Sequence, residues 1–362
     1  MRARGDQERG AGRAAAPFLR ATAGPALIIV AVLIAQASYA FGDKISTADV
    51  RTVWLPTFCF LGRSLSSGHI PLWNPSILSG TPFAADPQSG WLYAPAMLLF
   101  MAFRCGTAIR WMIVAQPLIA GLGLCWFLRN EGLSRSAATV GGLVLGMSIA
   151  GSELSLSLPF AGSLAWTAMT LALSSKFLRA PRWSGRLVWC LLTALAWGQL
   201  ALAHFSVGLI FGTMALAAYV IATSVTNVRE GRCSGRVALL LALALVPSLV
   251  LVNLAILLPR LAFLPETSLS QGYGKLQQLS NLFGGKKAGR LKIGGVAGLG
   301  WPLNLSTLSG GYLGAIALAL VPAGLWSRRR HLAVAFSVFG SRRIHRPILT
   351  TWPPGLGCWL RA

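Results

Sequence analysis

LVWCLLTALAWGQLALAHFSVGLIFGTMALAAYVIATSVTNV, residues 187 to 228, runs for 42 residues without an acid, a lysine or an arginine. As a single α-helix, rising 1.5 Å per residue, it would be about twice as long as the hydrocarbon core of a bilayer is thick. It therefore reads as two membrane spans joined by a tight turn, with His204 near its middle marking that turn. Arg182 and Arg186 precede the stretch, and Arg229, Arg232 and Arg236 lie just beyond it. Lys and Arg accumulate on the cytoplasmic side of membrane proteins, so both ends are expected inside and the His204 turn outside.

The same reasoning extends in both directions. Ala21 to Phe41 is a charge-free window preceded by Arg2, Arg4, Arg9, Arg13 and Arg20, so its amino end is cytoplasmic and the chain beyond Phe41 emerges outside. Trp91 to Phe103 is apolar but too short to cross comfortably, and reads as an interfacial or re-entrant helix on the outer face. Trp111 to Leu128 returns inward, Ser136 to Gly151 goes out, and Pro159 to Phe177 comes back to Lys176, Arg179, Arg182 and Arg186. Val237 to Leu258, interrupted by Pro247 as a membrane helix tolerates, goes out, and Gly310 to Trp326 returns to Arg328, Arg329 and Arg330. The expected fold class is all-α: a polytopic integral membrane protein of about eight transmembrane helices, both termini inside. Residues 1–340 form the membrane domain, with long extracytoplasmic loops at 42–110 and 259–309. Residues 341–362 are an irregular tail rich in Arg, Pro and Trp, without periodicity.

Composition agrees. The chain is 54% hydrophobic and 11% charged with a mean hydropathy of +0.63, more apolar surface than a water-soluble domain of this size hides in its core. Its net charge of +23 would suggest nucleic acid in a soluble protein. Here the basic residues are clustered between apolar runs rather than spread along one continuous face, so no nucleic-acid partner is expected. The six cysteines include no CxxC pair and no metal spacing. Cys125 and Cys190 lie in apolar runs, whereas Cys59 and Cys105 both fall on the predicted outer side, where a disulfide persists. Spacing alone does not say whether those two meet.

Charge is costly in hydrocarbon, so the acids point to loops or to a working site. Gly42 to Gly90 holds three of the nine: Asp43, Asp49 and Asp86, set among the strings HIPLWNP (69–75) and PFAADPQSGWLY (82–93). A connection this long is uncommon without a role, although its five prolines also read as plain turn punctuation. Trp73 with Asn74, Asp86 and Gln88 offers what sugars favour, a flat ring to stack on and polar groups for hydroxyls. The alternative for such a tryptophan is an interfacial anchor. Asp49 and Asp43 come soon after the first span, where a carboxylate can act as general base towards a hydroxyl or hold a metal ion. The plainer readings are a solvated acid and, for Asp43, a partner for Lys44. Glu153, the only acid of the second outer loop, could meet the first loop across the outer face and join the substrate site; its plain reading is a solvated helix end. His69 and His204 face outward, each more readily structural than a ligand. GGKKAGRLKIGG (284–295) lacks the GK[ST] ending of a nucleotide-binding loop, and its cations suit a lipid phosphate instead.

A family resemblance rests on particular strings. A first span is succeeded by D-x6-P (Asp49 to Pro56) and then by RSLSSGHIPLWNPSILSGTPFAADPQSGWLYAP (63–95). LRNEGLSRSAATVGGLVLGMS (128–148) and GGYLGAIALAL (310–320) continue the likeness. Over most of Pro25 to Leu325 the chain resembles bacterial YfhO-like membrane proteins, which are similar to the polytopic GT-C glycosyltransferases. The resemblance implies transfer of a sugar from a polyprenyl-phosphate carrier to an acceptor outside the cytoplasm, in a bacterial cytoplasmic (inner) membrane. It places an aspartate of the first outer loop at the active centre, a position Asp49 matches best, with Asp86 and Gln88 in the second matching string.

It also implies a longer chain with further spans, so the sequence is expected to be an incomplete copy whose activity alone is in question. The implied partners are the lipid-linked sugar donor and membrane lipids. No soluble cofactor is required, and a divalent cation is compatible although no ligand cluster demands one. Two other classes share the pattern of many spans. One is a transporter or lipid flippase, which would place ionisable or broken-helix sites at the midplane and show internal repeats. The other is a non-catalytic membrane assembly protein.

Overall fold

The computed structural model describes residues 22–43, 49–77, 79–151, 153–205, 207–231 and 233–266. Within them the chain is mostly helical, and its one β-type pairing is a single bridge between Asn74 and Thr81. α1 (Thr22–Ala35) and the short α2 (Ala37–Ala40) are separated at Gln36, whose buried side chain donates from Nε2 to the Ala150 carbonyl (3.1 Å). A wide, π-type helical turn at Val50–Trp54 leads into α3 (Leu55–Ser66), and α4 (Ala94–Ala102) lies beyond the proline-rich strings.

The bundle itself is α5 (Cys105–Asn130), α6 (Arg135–Ala150), α7 (Leu158–Arg179), α8 (Trp183–Ala203), α9 (Val207–Arg229) and α10 (Gly235–Val252), with α11 (Leu254–Phe263) after it. Four helices, α5, α8, the part of α9 from Gly208, and α10, are long and apolar enough to cross a membrane. α7 is of comparable length, while α1 and α6 are shorter apolar helices. The connections between successive bundle helices are only a few residues long, so neighbours run antiparallel. α5 and α7 form the centre, α6 packs on α5, α8 and α9 pack on α7, and α10 packs on α8.

Close approach of α5 and α6 depends on small residues, as in membrane bundles generally. A Cβ added at Gly142 would sit 2.5 Å from the carbonyl oxygen of Gly121 across the interface. Away from the interior the helices present leucine and valine outward, with Leu239, Leu240, Leu243 and Val246 of α10 all exposed. Such a face is stable against hydrocarbon, not water.

The 187–228 stretch divides as expected: His204 caps α8, and α9 starts at Val207. Three expectations were too simple. Pro56 opens a helix rather than a loop turn, sitting in the first turn of α3 as Pro95 does in α4, where a missing N–H leaves no hydrogen bond unmade. The Gly42 to Gly90 insert thus contains a helix whose Phe58, Cys59 and Leu61 are buried, and α5 starts at Cys105, earlier than its charge-free window.

The window ending at Leu258 is broken at Asn253, not at Pro247. Asn253 is buried and donates from Nδ2 to the carbonyls of Ala194 (2.8 Å) and Leu249 (2.8 Å), and α11 carries the chain through Pro259 to Phe263. The expected span at Gly310 to Trp326, the basic string 284–295 and the tail lie outside the described residues.

The two ends of the bundle differ in charge. Arg129, Arg135, Lys176, Arg179, Arg182, Arg186, Arg229 and Arg236 gather at one end with Glu131 and Glu230. At that end Glu131 is buried and accepts from Arg179 Nη2 (2.6 Å) and from the Tyr219 hydroxyl (2.6 Å), tying α5, α7 and α9 together. The acid-bearing insert and α11 sit at the other end.

Candidate functional site

The proline-rich strings fold as two linked turns. Asn74 and Thr81 exchange backbone hydrogen bonds (2.9 Å each), and the buried Asn74 side chain accepts from the Ser76 N–H (3.0 Å). The Trp73 ring covers Gly80, where a Cβ would come within 2.5 Å of it, yet over half of Trp73 remains exposed. In the second turn Asp86 Oδ1 accepts from the Gln88 N–H (2.8 Å), and Ser89 Oγ donates to the Asp86 carbonyl (3.0 Å). Gly90 comes next at φ +74°, and a Cβ there would lie 2.6 Å from the Phe58 ring. Glycine is demanded at this position on both counts.

Residues 91–94 are fastened to four helices. Arg260 of α11 donates from Nη2 to the Trp91 carbonyl (3.0 Å). Leu92 takes φ +67°, uncommon for a branched residue. It is held there by Gln199 of α8, which donates to the Leu92 carbonyl (3.1 Å) and accepts from the Ala94 N–H (2.7 Å). Tyr93 is buried, and its hydroxyl accepts from Gln116 Nε2 of α5 (2.9 Å) and Trp166 Nε1 of α7 (3.0 Å). Burial pushes the Tyr93 phenol up to about 12. A disulfide between Cys59 and Cys105, with Cα atoms 5.5 Å apart, joins α3 to the start of α5 and closes the chain around the whole segment.

Trp54, Phe58, Gln88, Gly90 and Tyr93 line a small cleft together with Pro159, Leu202 and Ala203. Beside it His204 packs edge-on against Phe160, ring centroids 4.8 Å apart, and burial holds its imidazole below the ordinary range. Burial raises the Asp86 carboxyl, partly offset by the Gln88 N–H and the Arg260 charge. Arg260 is wholly buried, and burial pushes it down to about 10 against the opposing pull of Asp86.

The candidate residues are thus not one cluster. Gln88 is exposed and contributes to the cleft wall, Asp86 stands behind it, and Trp73 is exposed on the neighbouring turn. Asn74 is structural. Asp43 is exposed and pairs with Arg110 (2.5 Å). Asp49 is exposed, starts the turn into α3, and forms no ion pair among the described residues. Glu153 begins a 3-10 turn (Glu153–Leu156) at the same end. Among the described residues no three His, Cys, Asp or Glu side chains converge as a metal site would need.

Gln116, Gln199, Arg260 and Glu131 make polar contacts between elements distant in sequence and were not singled out from sequence. Their signal was present: isolated polar side chains in or beside charge-free runs, which in a membrane protein need a partner. Compared with models of protein families, with curated proteins and with solved structures, the chain matches none.

Proposed function

We propose that this chain is a YfhO-like, GT-C-related membrane protein of about eight spans. It would transfer a sugar from a polyprenyl-phosphate donor to an acceptor on the extracytoplasmic side of a bacterial cytoplasmic membrane. The observation that carries this reading is the contrast between the two aspartates after the first helix. Asp43 is engaged by Arg110, whereas Asp49 is exposed and has no ion-pair partner among the described residues.

In the proposed step Asp49 takes the proton of the acceptor hydroxyl as its oxygen bonds to the anomeric carbon. The bond from that carbon to the phosphate oxygen breaks, and the lipid phosphate leaves with the electron pair. Basic residues at this end would stabilise the leaving phosphate, while Trp73 and Gln88 supply an exposed ring and amide for the sugar.

Asp49→Asn should then lower transfer of radiolabelled sugar, normalised to membrane abundance, by about 10² or more, with a much smaller loss for Asp43→Asn. Near-normal transfer by the Asp49 variant would remove it from the active centre and pass the role to Asp86 or Glu153. One observation favours a second reading, a non-catalytic membrane assembly protein: Asn74, Ser89 and Tyr93 of the motif strings are spent on internal hydrogen bonds.

A further inference from the structure

The turn between α7 and α8 combines features that nothing in sugar transfer uses. Arg179 and Arg182 are exposed at the turn, and Trp183 beside them is 66% exposed. Arg186 is nine-tenths buried. Its Nε donates to the Ala180 carbonyl (2.8 Å), and its guanidinium lies over the Trp183 ring at 5.6 Å. One turn further into α8 begins an outward apolar stripe of Leu187, Leu191 and Leu195, spaced four residues apart and all exposed. The only acids among the described residues of this end are Glu131, spent on Arg179 and Tyr219, and Glu230 on a different turn.

We infer that the α7–α8 turn is a binding surface for the headgroup of an anionic phospholipid in the leaflet it faces. The order of chemistry along α8 matches that of a lipid: acyl chain along the leucine stripe, glycerol level at the Trp183 ring, phosphate at the guanidiniums. An indole with an exposed face prefers the membrane interface. Arginine presents a planar fork to phosphate oxygens. Arg186 is fixed in place by Ala180 and Trp183, so it meets a headgroup already oriented, while Arg182 supplies charge at the rim. A soluble anion would satisfy the guanidiniums but would leave the stripe and the indole unused. The inference rests on the membrane fold and not on the proposed transferase activity.

The test reconstitutes the full chain in nanodiscs of phosphatidylcholine alone or with phosphatidylglycerol, reading thermal unfolding and the phosphatidylglycerol retained in native mass spectra. Phosphatidylglycerol should raise the unfolding temperature and be retained selectively. Arg182→Gln should lower retention about fivefold, the factor expected for one basic residue near an anionic surface. Trp183→Ala should also lower it, while Arg104→Gln, an exposed arginine at the opposite end, should not. Inorganic phosphate added to phosphatidylcholine discs should give no comparable shift. Equal stability in the two lipids, unchanged retention in Arg182→Gln, or full replacement of the effect by inorganic phosphate would each overturn the inference.

Discussion

Tyr93→Phe removes one oxygen from the most enclosed polar junction of the ordered insert. The ring keeps its packing against Trp166, 6.4 Å between centroids, so the change is nearly isosteric. It takes away the acceptor for two donors, Gln116 Nε2 at 2.9 Å and Trp166 Nε1 at 3.0 Å, and the hydroxyl that donates to Gln116 Oε1 at 3.2 Å. Gln116 is fully buried, and its remaining contact is a weak one to Met112 Sδ at 3.9 Å. No other protein acceptor replaces the lost partner.

An orphaned buried donor costs about 1–3 kcal/mol, and Trp166 is only partly enclosed, so the expected loss is about 2–4 kcal/mol in total. Removing both partners with apolar groups of similar shape should cost less than the sum. Gln116→Leu in the Tyr93→Phe background should therefore recover about 1 kcal/mol or more. Unfolding in a denaturing detergent series, monitored by tryptophan fluorescence, measures the global cost. Nicking of residues 67–90 by a nonspecific protease measures release of the insert. A loss below about 0.5 kcal/mol, or strict additivity of the two substitutions, would refute the claim that this junction fastens the insert.

The Cys59–Cys105 disulfide closes a 46-residue separation, for which loop entropy gives about 4 kcal/mol. Cys105→Ser or reductant should lower the unfolding midpoint accordingly, and thiol counting on the unreduced, unfolded chain should find two fewer than six. Glu131→Ala should cost about 2 kcal/mol, chiefly from the buried Tyr219 hydroxyl left without an acceptor, since water can solvate the 39% exposed Arg179 side chain. Tyr219→Phe in that background should add little, as read by the same unfolding series. His204 is held below its ordinary 6.5, so unfolding releases a histidine that binds a proton more readily. Its contribution to stability is complete above pH 6.5 and is lost as pH falls below that value. His204→Gln should flatten this part of the profile, whereas Asp86, whose raised carboxyl favours the folded state as pH falls, should be unaffected by it.

Hydropathy and charge located most of the helices because both reflect the surrounding solvent: a residue pair such as Arg186 and Leu187 marks the membrane boundary in the sequence itself. The break at His204 was legible because no single helix of that length fits a bilayer. The interior of the insert was not legible in the same way. Pro56 has the same composition whether it starts a helix or turns a loop, and only the burial of Phe58 and Leu61 against α4 and α5 decides between them. Asn74 and Trp73 are adjacent in a polar string, yet one is buried in a turn and the other exposed. That difference comes from the pairing of Asn74 with Thr81 seven residues on, which nothing in the composition of the string marks. Arg260 and Asp86 are 174 residues apart, and nothing in either string announces that they face one another.

The proposed function depends on the two ends of the bundle facing opposite compartments, the insert outside and the arginine-rich end in the cytoplasm. Ser66→Cys and Ser234→Cys report on the two ends, since both serines are exposed. They should be introduced one at a time into a chain lacking Cys125, Cys190, Cys233 and Cys358 but keeping the Cys59–Cys105 pair that closes the insert. An impermeant maleimide applied to intact spheroplasts should label Ser66→Cys at once and Ser234→Cys only after the membrane is opened. Labelling of Ser234→Cys but not Ser66→Cys in intact spheroplasts would contradict the orientation, and with it the placement of Asp49 outside the cytoplasm.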